Sequence, residues 1–216
     1  NVSIGMGDYA KAKTSLEASL MLNTLHDNKN GLWRNYTNLA YLYRDLEDYE
    51  NALKYINLAK NIVISLDFAP TVLAANLYFI GKTYYKMNQF DDALDYYNQS
   101  EKLLDQIKEN NAEHWITGED HSLNLFISKV ICEIQLNKTD ISEKIILINS
   151  KVKLIDINDE DTNYNYWQLF EFYTLLEDKV NAKRFLEIAY NNIIEESKKL
   201  TSDDSRKLFL QNETYN

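Results

Sequence analysis

Between residues 74 and 107 the apolar positions fall into two helical stripes. Leu77, Ile80, Tyr84 and Met87 recur every three or four residues. That spacing gathers side chains on one face of a half-buried helix. Asn88 and Gln89 interrupt the run, and Ala93, Tyr97, Ser100 and Leu104 form the inward stripe of a second helix. Gly81 sits inside the first stripe. A helical glycine costs about 1 kcal/mol relative to alanine, so it asks for a packing reason, and close approach of a neighbouring helix supplies one. The short connection predicts that the two helices are antiparallel neighbours.

Residues 33–66 follow the same plan, with Tyr36, Leu39, Ala40 and Tyr43 on one helix and Ala52, Ile56 and Ala59 on the next. Small residues return at matching places: Ala40 with Gly81, Ala52 with Ala93, Ala59 with Ser100. Tyr9, Tyr49 and Phe90 each precede an alanine by three residues, and those alanines stand at 12, 52 and 93, a period of 40 and then 41 residues. A fixed period in that range marks stacked repeats, each burying its apolar face on the next.

The plan extends beyond these two pairs. Residues 8–25 read as the second half of a repeat whose first half is missing, which is what a chain cut from a longer protein would show. Leu16, Leu20 and their neighbours are then expected to expose an apolar face capable of driving self-association. Pro70 is placed as the first residue of a helix. Residues 120–154 form a degenerate repeat, with Leu123, Phe126, Ile127, Val130, Ile131 and Ile134 on one helix and Ile145, Ile148 and Val152 on the other. The pattern returns in 162–199 through Tyr166, Leu169, Phe170 and Tyr173, then Ala182, Leu186 and Ala189. Ser202 and the acidic residues after it cap a last short helix over 203–211.

These positions resemble the tetratricopeptide repeat family, whose motif runs W-x2-L-G-x2-Y, A-x3-F, A. Tyr36, Leu39, Ala40, Tyr43, Ala52, Ile56 and Ala59 fall on its marked places, as do Leu77, Ile80, Gly81, Tyr84, Ala93, Tyr97 and Ser100. The closing proline is replaced by Asp105, and the period is longer than the family's standard one, placing extra length in the second helix or the inter-repeat loop. The resemblance implies an all-α fold, a right-handed α-α superhelical solenoid of about four antiparallel helix pairs. It also implies a concave groove lined by the first helix of each pair. Counted from the motif, the groove positions are Arg34, Thr37, Tyr41 and Arg44 in one repeat, Tyr78, Lys82 and Tyr85 in the next, and Tyr164, Trp167 and Glu171 in the last. The chaperone-binding members use Lys and Asn on the first helix, a pattern missing here.

Composition narrows the function. The chain has 216 residues, 45% of them hydrophobic, with five Gly and one Pro, which suits long helices. A net charge of −10 without any Lys/Arg run excludes phosphate tracking, so nucleic acid is not an expected partner. No window approaches the roughly 18 apolar residues of a membrane span. Cys132 is the one cysteine, so no intrachain disulfide forms, and a reducing, cytoplasmic setting is expected.

Catalytic readings find little support. His114 and His121 flank Trp115 and Glu119, but no third zinc ligand presents itself. The acidic segment Asp156–Asp161 lacks the glycine and closing glutamate of a calcium loop. No nucleophile–base pair can be nominated, and Gly5-Met6-Gly7 lacks the third glycine of a dinucleotide fingerprint. The expected role is therefore a non-catalytic protein- or peptide-binding scaffold, without cofactor, in a larger intracellular signalling protein. Arg34, Arg44 and Lys82 within a net acidic chain favour an acidic partner, and tyrosine, tryptophan and arginine dominate binding hot spots. The alternative is a peptide sensor that changes shape on binding to control an attached output domain.

Overall fold

The computed structural model describes residues 9–109, 118–138, 141–153 and 166–213. These residues hold ten α-helices and no strand. In chain order they are α1 Tyr9–Leu25, α2 Lys29–Asp45, α3 Tyr49–Ser65, α4 Pro70–Lys86, α5 Phe90–Glu109, α6 Gly118–Gln135, α7 Ser142–Val152, α8 Tyr166–Leu175, α9 Lys179–Lys198 and α10 Asp203–Glu213. The fold is all-α with consecutive helices packed as neighbours, as the repeat pattern implies. Pro70 opens α4, where a residue without a backbone N–H does no harm.

Helices α1 to α4 are each 17 residues long, and α5, the second helix of its pair, has 20. Among the described residues, six helices also end alike. Asp27, Glu47, Asp67, Asn88, Asn137 and Glu177 each stand two residues past a helix end at φ between 45° and 59°. The N–H of the following residue then reaches back five positions, as from Asp48 to the Tyr43 carbonyl at 2.8 Å and from Asp178 to that of Tyr173 at 3.0 Å. This bond satisfies a carbonyl that the helix end leaves open. The next helix starts at once: Asp48 and Asp178 accept from the backbone N–H and the side-chain amide of Asn51 and Asn181 respectively. The same Asp-x-x-Asn cap thus opens both α3 and α9.

Left-handed backbone costs an ordinary residue about 1–2 kcal/mol, whereas glycine adopts it freely at an entropic cost of about 0.5–1 kcal/mol. Glu47→Gly and Glu177→Gly are therefore each expected to raise stability by about 0.5–1 kcal/mol. The check is a higher urea midpoint at unchanged slope; an unchanged or lower midpoint would show that the carboxylate side chains stabilise these turns.

The described residues divide into two compact units, one ending at Thr83 and resuming at Ile193, the other running from Tyr84 to Asn192. In the first, α1 packs on α2 and α2 on α3. Ala12 and Leu16 of α1 join Leu39 and Leu42 of α2 in one buried cluster, with Leu20 partly buried against it. Leu16 and Leu20 thus do not form the exposed face expected of them, because α2 covers that side. The exposed apolar residues of α1 are instead Met21, Leu22 and Leu25.

The second unit has its own core. Leu123, Ile127, Val130 and Ile131 of α6 meet Ile148 and Val152 of α7, Leu169 and Phe172 of α8, and Phe185 of α9. Here Ala182 and Ala189 of α9 are buried as expected, but Leu186 is exposed and Phe185 beside it is fully buried. Positions three and four residues past Ala182 both lean to the same side of a helix, and the larger ring takes the core. Phe170 likewise remains partly buried at the core's edge while Phe172 fills its middle. Ser202 caps α10 by accepting from the Ser205 N–H at 3.0 Å.

Candidate functional site

Helices α2 and α4 are the first helices of successive pairs, and a cleft of ≈ 290 Å³ lies between them in the first unit. Trp33, Thr37 and Tyr41, spaced by four residues, line it from α2. Val72, Asn76 and Phe79 line it from α4, and Ile56 of α3 contributes apolar surface. Trp33 is set edge-on to Phe68 with ring centroids 5.1 Å apart, and Tyr41 meets Phe79 the same way at 4.7 Å. The Arg44 guanidinium lies 5.1 Å from the Tyr41 ring centre and 4.8 Å from that of Phe79, placing a cation beside the aromatic wall. Asp45 holds it from the other side at 3.1 Å.

Three buried polar atoms of the lining have no hydrogen-bond partner: Trp33 Nε1, Thr37 Oγ1 and Asn76 Nδ2. Each such group costs about 1–3 kcal/mol, so three of them on lining residues of one cleft depart from the rule that buried polar groups are paired. The counterpart of Asn76 one repeat earlier shows the ordinary arrangement. Asn35 accepts from Asn23 Nδ2 at 2.5 Å and from Ser19 Oγ at 3.3 Å, and donates to the Leu16 carbonyl at 3.5 Å. One repeat after Asn23 stands Ile64, which has no polar group to offer and is itself exposed.

The structure therefore brings together Thr37, Tyr41 and Arg44 of the expected groove. Arg34 is exposed outside the cleft. Lys82 and Tyr78 form a pair, the ammonium 5.7 Å from the ring centre. Tyr85 and Glu171 pair within the second unit, the Tyr85 hydroxyl donating to Glu171 Oε1 at 2.5 Å. Burial, and then Glu171, push the Tyr85 phenol above its ordinary range. Trp167 is 44% exposed and packs on Phe170 at 5.2 Å. Tyr164 lies outside the described residues, as do His114 and the acidic segment Asp156–Asp161.

Trp33, Asn76 and Phe79 escape the sequence reading because the motif assigns them no groove position. A signal existed for Asn76: a polar residue recurring 41 positions after Asn35, on the side of the helix that turns to the previous pair. Other chemistry is scarce. The Cys132 thiol is pushed up to about 12 by burial and by the nearby charges of Glu171 and Glu133, so it stays protonated and unreactive at neutral pH. Among the described residues, no group of three His, Cys, Asp or Glu could hold a metal ion, and no helix is long and apolar enough to cross a membrane.

No curated protein and no solved structure matches the chain. Residues 32–106 match the family described as Tetratricopeptide repeat. The match opens beside Trp33 and runs into the last turn of α5, so it covers the two helix pairs whose first members form the cleft. Over residues 32–106 the chain is thus similar to the tetratricopeptide repeat family.

Proposed function

We propose that the chain is a non-catalytic module that binds an acidic protein segment or peptide, within a larger intracellular signalling protein, and that the α2–α4 cleft is where the segment is held. The family is one of protein-interaction scaffolds, which supports the general role. The observation that carries the specific reading is the aromatic cleft with a cation at its edge: Trp33, Tyr41 and Phe79 with Arg44 over two of the rings. Ligand pockets run from about 300 to 1,000 Å³, so a cleft of ≈ 290 Å³ suits one side chain of an extended segment better than a cofactor. Tyr, Trp and Arg are the side chains most enriched at binding hot spots. Arg44, which Asp45 pairs with, and Arg34 and Lys82 on the same two first helices are the cations that an acidic partner would complement in a chain of net charge −10.

Selection from a random-peptide display library against the whole chain tests this. Acidic peptides are expected to be enriched. Tyr41→Ala and Arg44→Ala are expected to weaken them by at least about tenfold, the effect of losing one hot-spot residue. Enrichment of basic or uncharged peptides, or equal binding to both variants, would remove the reading.

A further inference from the structure

We propose that the exposed face of α1 is a pairing surface for a second copy of this chain, the two α1 helices packing antiparallel. The inference is independent of the α2–α4 cleft. Thr14, Ala18, Met21 and Leu25 are spaced by four, three and four residues, and all four are exposed. That spacing keeps side chains in one narrow seam, the kind through which two helices interlock. Met21 and Leu25 are 73% and 72% exposed. Thr14 joins the seam through its methyl group, because its hydroxyl already donates to the Ala10 carbonyl at 3.1 Å. The repeat does not itself call for an apolar strip here. Ala12 aligns with Ala52 and Ala93, so Met21 and Leu25 correspond to Asn61 and Ser65 of α3 and to Lys102 and Gln106 of α5. Those four residues are polar and exposed, although α2 is packed on α3. A first helix packed in the same way on α1 would therefore leave Met21 and Leu25 in solvent too. Their apolar character marks this one helix for a contact outside the array.

The seam complements itself in one orientation. Run antiparallel about a two-fold axis between Ala18 and Met21, it sets Ala18 against Met21 of the second copy and Thr14 against Leu25. Each layer then joins a small side chain to a large one, which lets the helices approach closely. The ends complement each other in charge. Lys11 and Lys13 stand at the start of α1, and in this register they meet the turn after its end, where Asp27 lies. Asp27 contacts Lys29 at 2.8 Å with both side chains largely in solvent, so its second oxygen can accept another cation. The flanking positions, Ser15 and Leu22 on one side and Glu17 and Thr24 on the other, oppose no like charges. A parallel pair would set Lys11 on Lys11 and the bulky Met21 and Leu25 on themselves, with the helix dipoles aligned. Charge and side-chain size thus both select the antiparallel pair.

Sedimentation of the whole chain over a range of concentrations tests the pairing. A seam of four layers is a small interface, so the average mass should rise with concentration and correspond to a Kd on the order of 100 μM. It should level off at two chains, because an isologous contact closes on itself. Met21→Asn/Leu25→Ser, which installs the residues of α3, should weaken the pair at least about tenfold, since each copy loses two apolar side chains from the seam. Its melting midpoint should match that of the parent, both positions being open in the single chain. Orientation is read by oxidation. A mixture of Thr14→Cys and Leu25→Cys chains should form disulfide-linked dimers, whereas neither variant alone should, its own cysteines lying roughly 16 Å apart along the antiparallel pair. Cys132 is buried and does not interfere. A mass fixed at one chain up to about 500 μM would overturn the proposal and leave the strip to a different protein. So would growth past two chains, an unweakened Met21→Asn/Leu25→Ser pair, or cross-linking of either single variant as readily as the mixture.

Discussion

Phe185→Ala is expected to lower the unfolding free energy by about 3–5 kcal/mol, the range for truncating a fully buried aromatic ring. The ring is completely enclosed, and it lies parallel to two tyrosines, 5.5 Å from Tyr173 and 6.3 Å from Tyr166. Those pairs add about 0.5–1.5 kcal/mol each beyond area burial. A domain's whole stability is about 5–15 kcal/mol, so the loss is a large fraction of what is available. In repeat arrays each element contacts only its neighbours, and damage therefore stays local. Hydrogen exchange should consequently rise through α8 and α9 while α2 and α3 keep their protection. Uniform loss of protection across both compact units would mean that they unfold as one, against the nearest-neighbour picture. Leu186→Ala, at the exposed adjacent position, is the control and should fall within about ±0.5 kcal/mol.

The choice between Phe185 and Leu186 shows where sequence reading stops. Periodicity names the face of a helix, and it did so correctly at Ala52, Ile56, Ala93 and Tyr97, all buried. It cannot rank two large side chains one position apart that lean to the same side. The tyrosines show the same limit. Tyr36, Tyr43 and Tyr84 sit at core positions of the pattern, yet they are only half-buried. Their rings lie against other tyrosines, Tyr43 on Tyr55 at 5.4 Å and Tyr84 on Tyr96 at 5.4 Å. A phenol has an apolar ring and a polar tip, so it settles at the margin, where the hydroxyl can stay wet.

The cleft was legible only in part for a different reason. Thr37, Tyr41 and Arg44 could be placed from the motif because the first helix of each repeat presents a fixed side. Whether a buried amide has found a partner is a property of three dimensions and of two segments at once. Asn35 and Asn76 look alike in the chain; Asn23 beside one and Ile64 beside the other separate them. The shared Asp-x-x-Asn cap at Asp48 and Asp178 is, by contrast, plain in the sequence.

Ala52→Leu is the second substitution expected to have a large effect. Ala40, Ala52, Ala59 and Ala93 are all fully enclosed, and Ser100 with them. At such positions the backbones themselves come close, and added methylenes force off-rotamer side chains or separate the helices, typically at about 1–3 kcal/mol. Here three carbons enter a site with no exposed surface, inside the closely packed α2–α3 pair, so the cost should lie at the upper end of that range. Ala10→Leu, on the exposed side of α1, should be neutral within about 0.5 kcal/mol and controls for the change in composition. The same variant also reaches the site. Ile56 stands one turn after Ala52 and lines the cleft, so forcing α3 away from α2 moves the surface on which the bound side chain rests. Ala52→Leu should therefore weaken the selected acidic peptides even at temperatures where the chain remains folded. If it lowers stability but leaves that affinity unchanged, the cleft is set by α2 and α4 alone, and the small residues of α3 serve stability without shaping the binding surface.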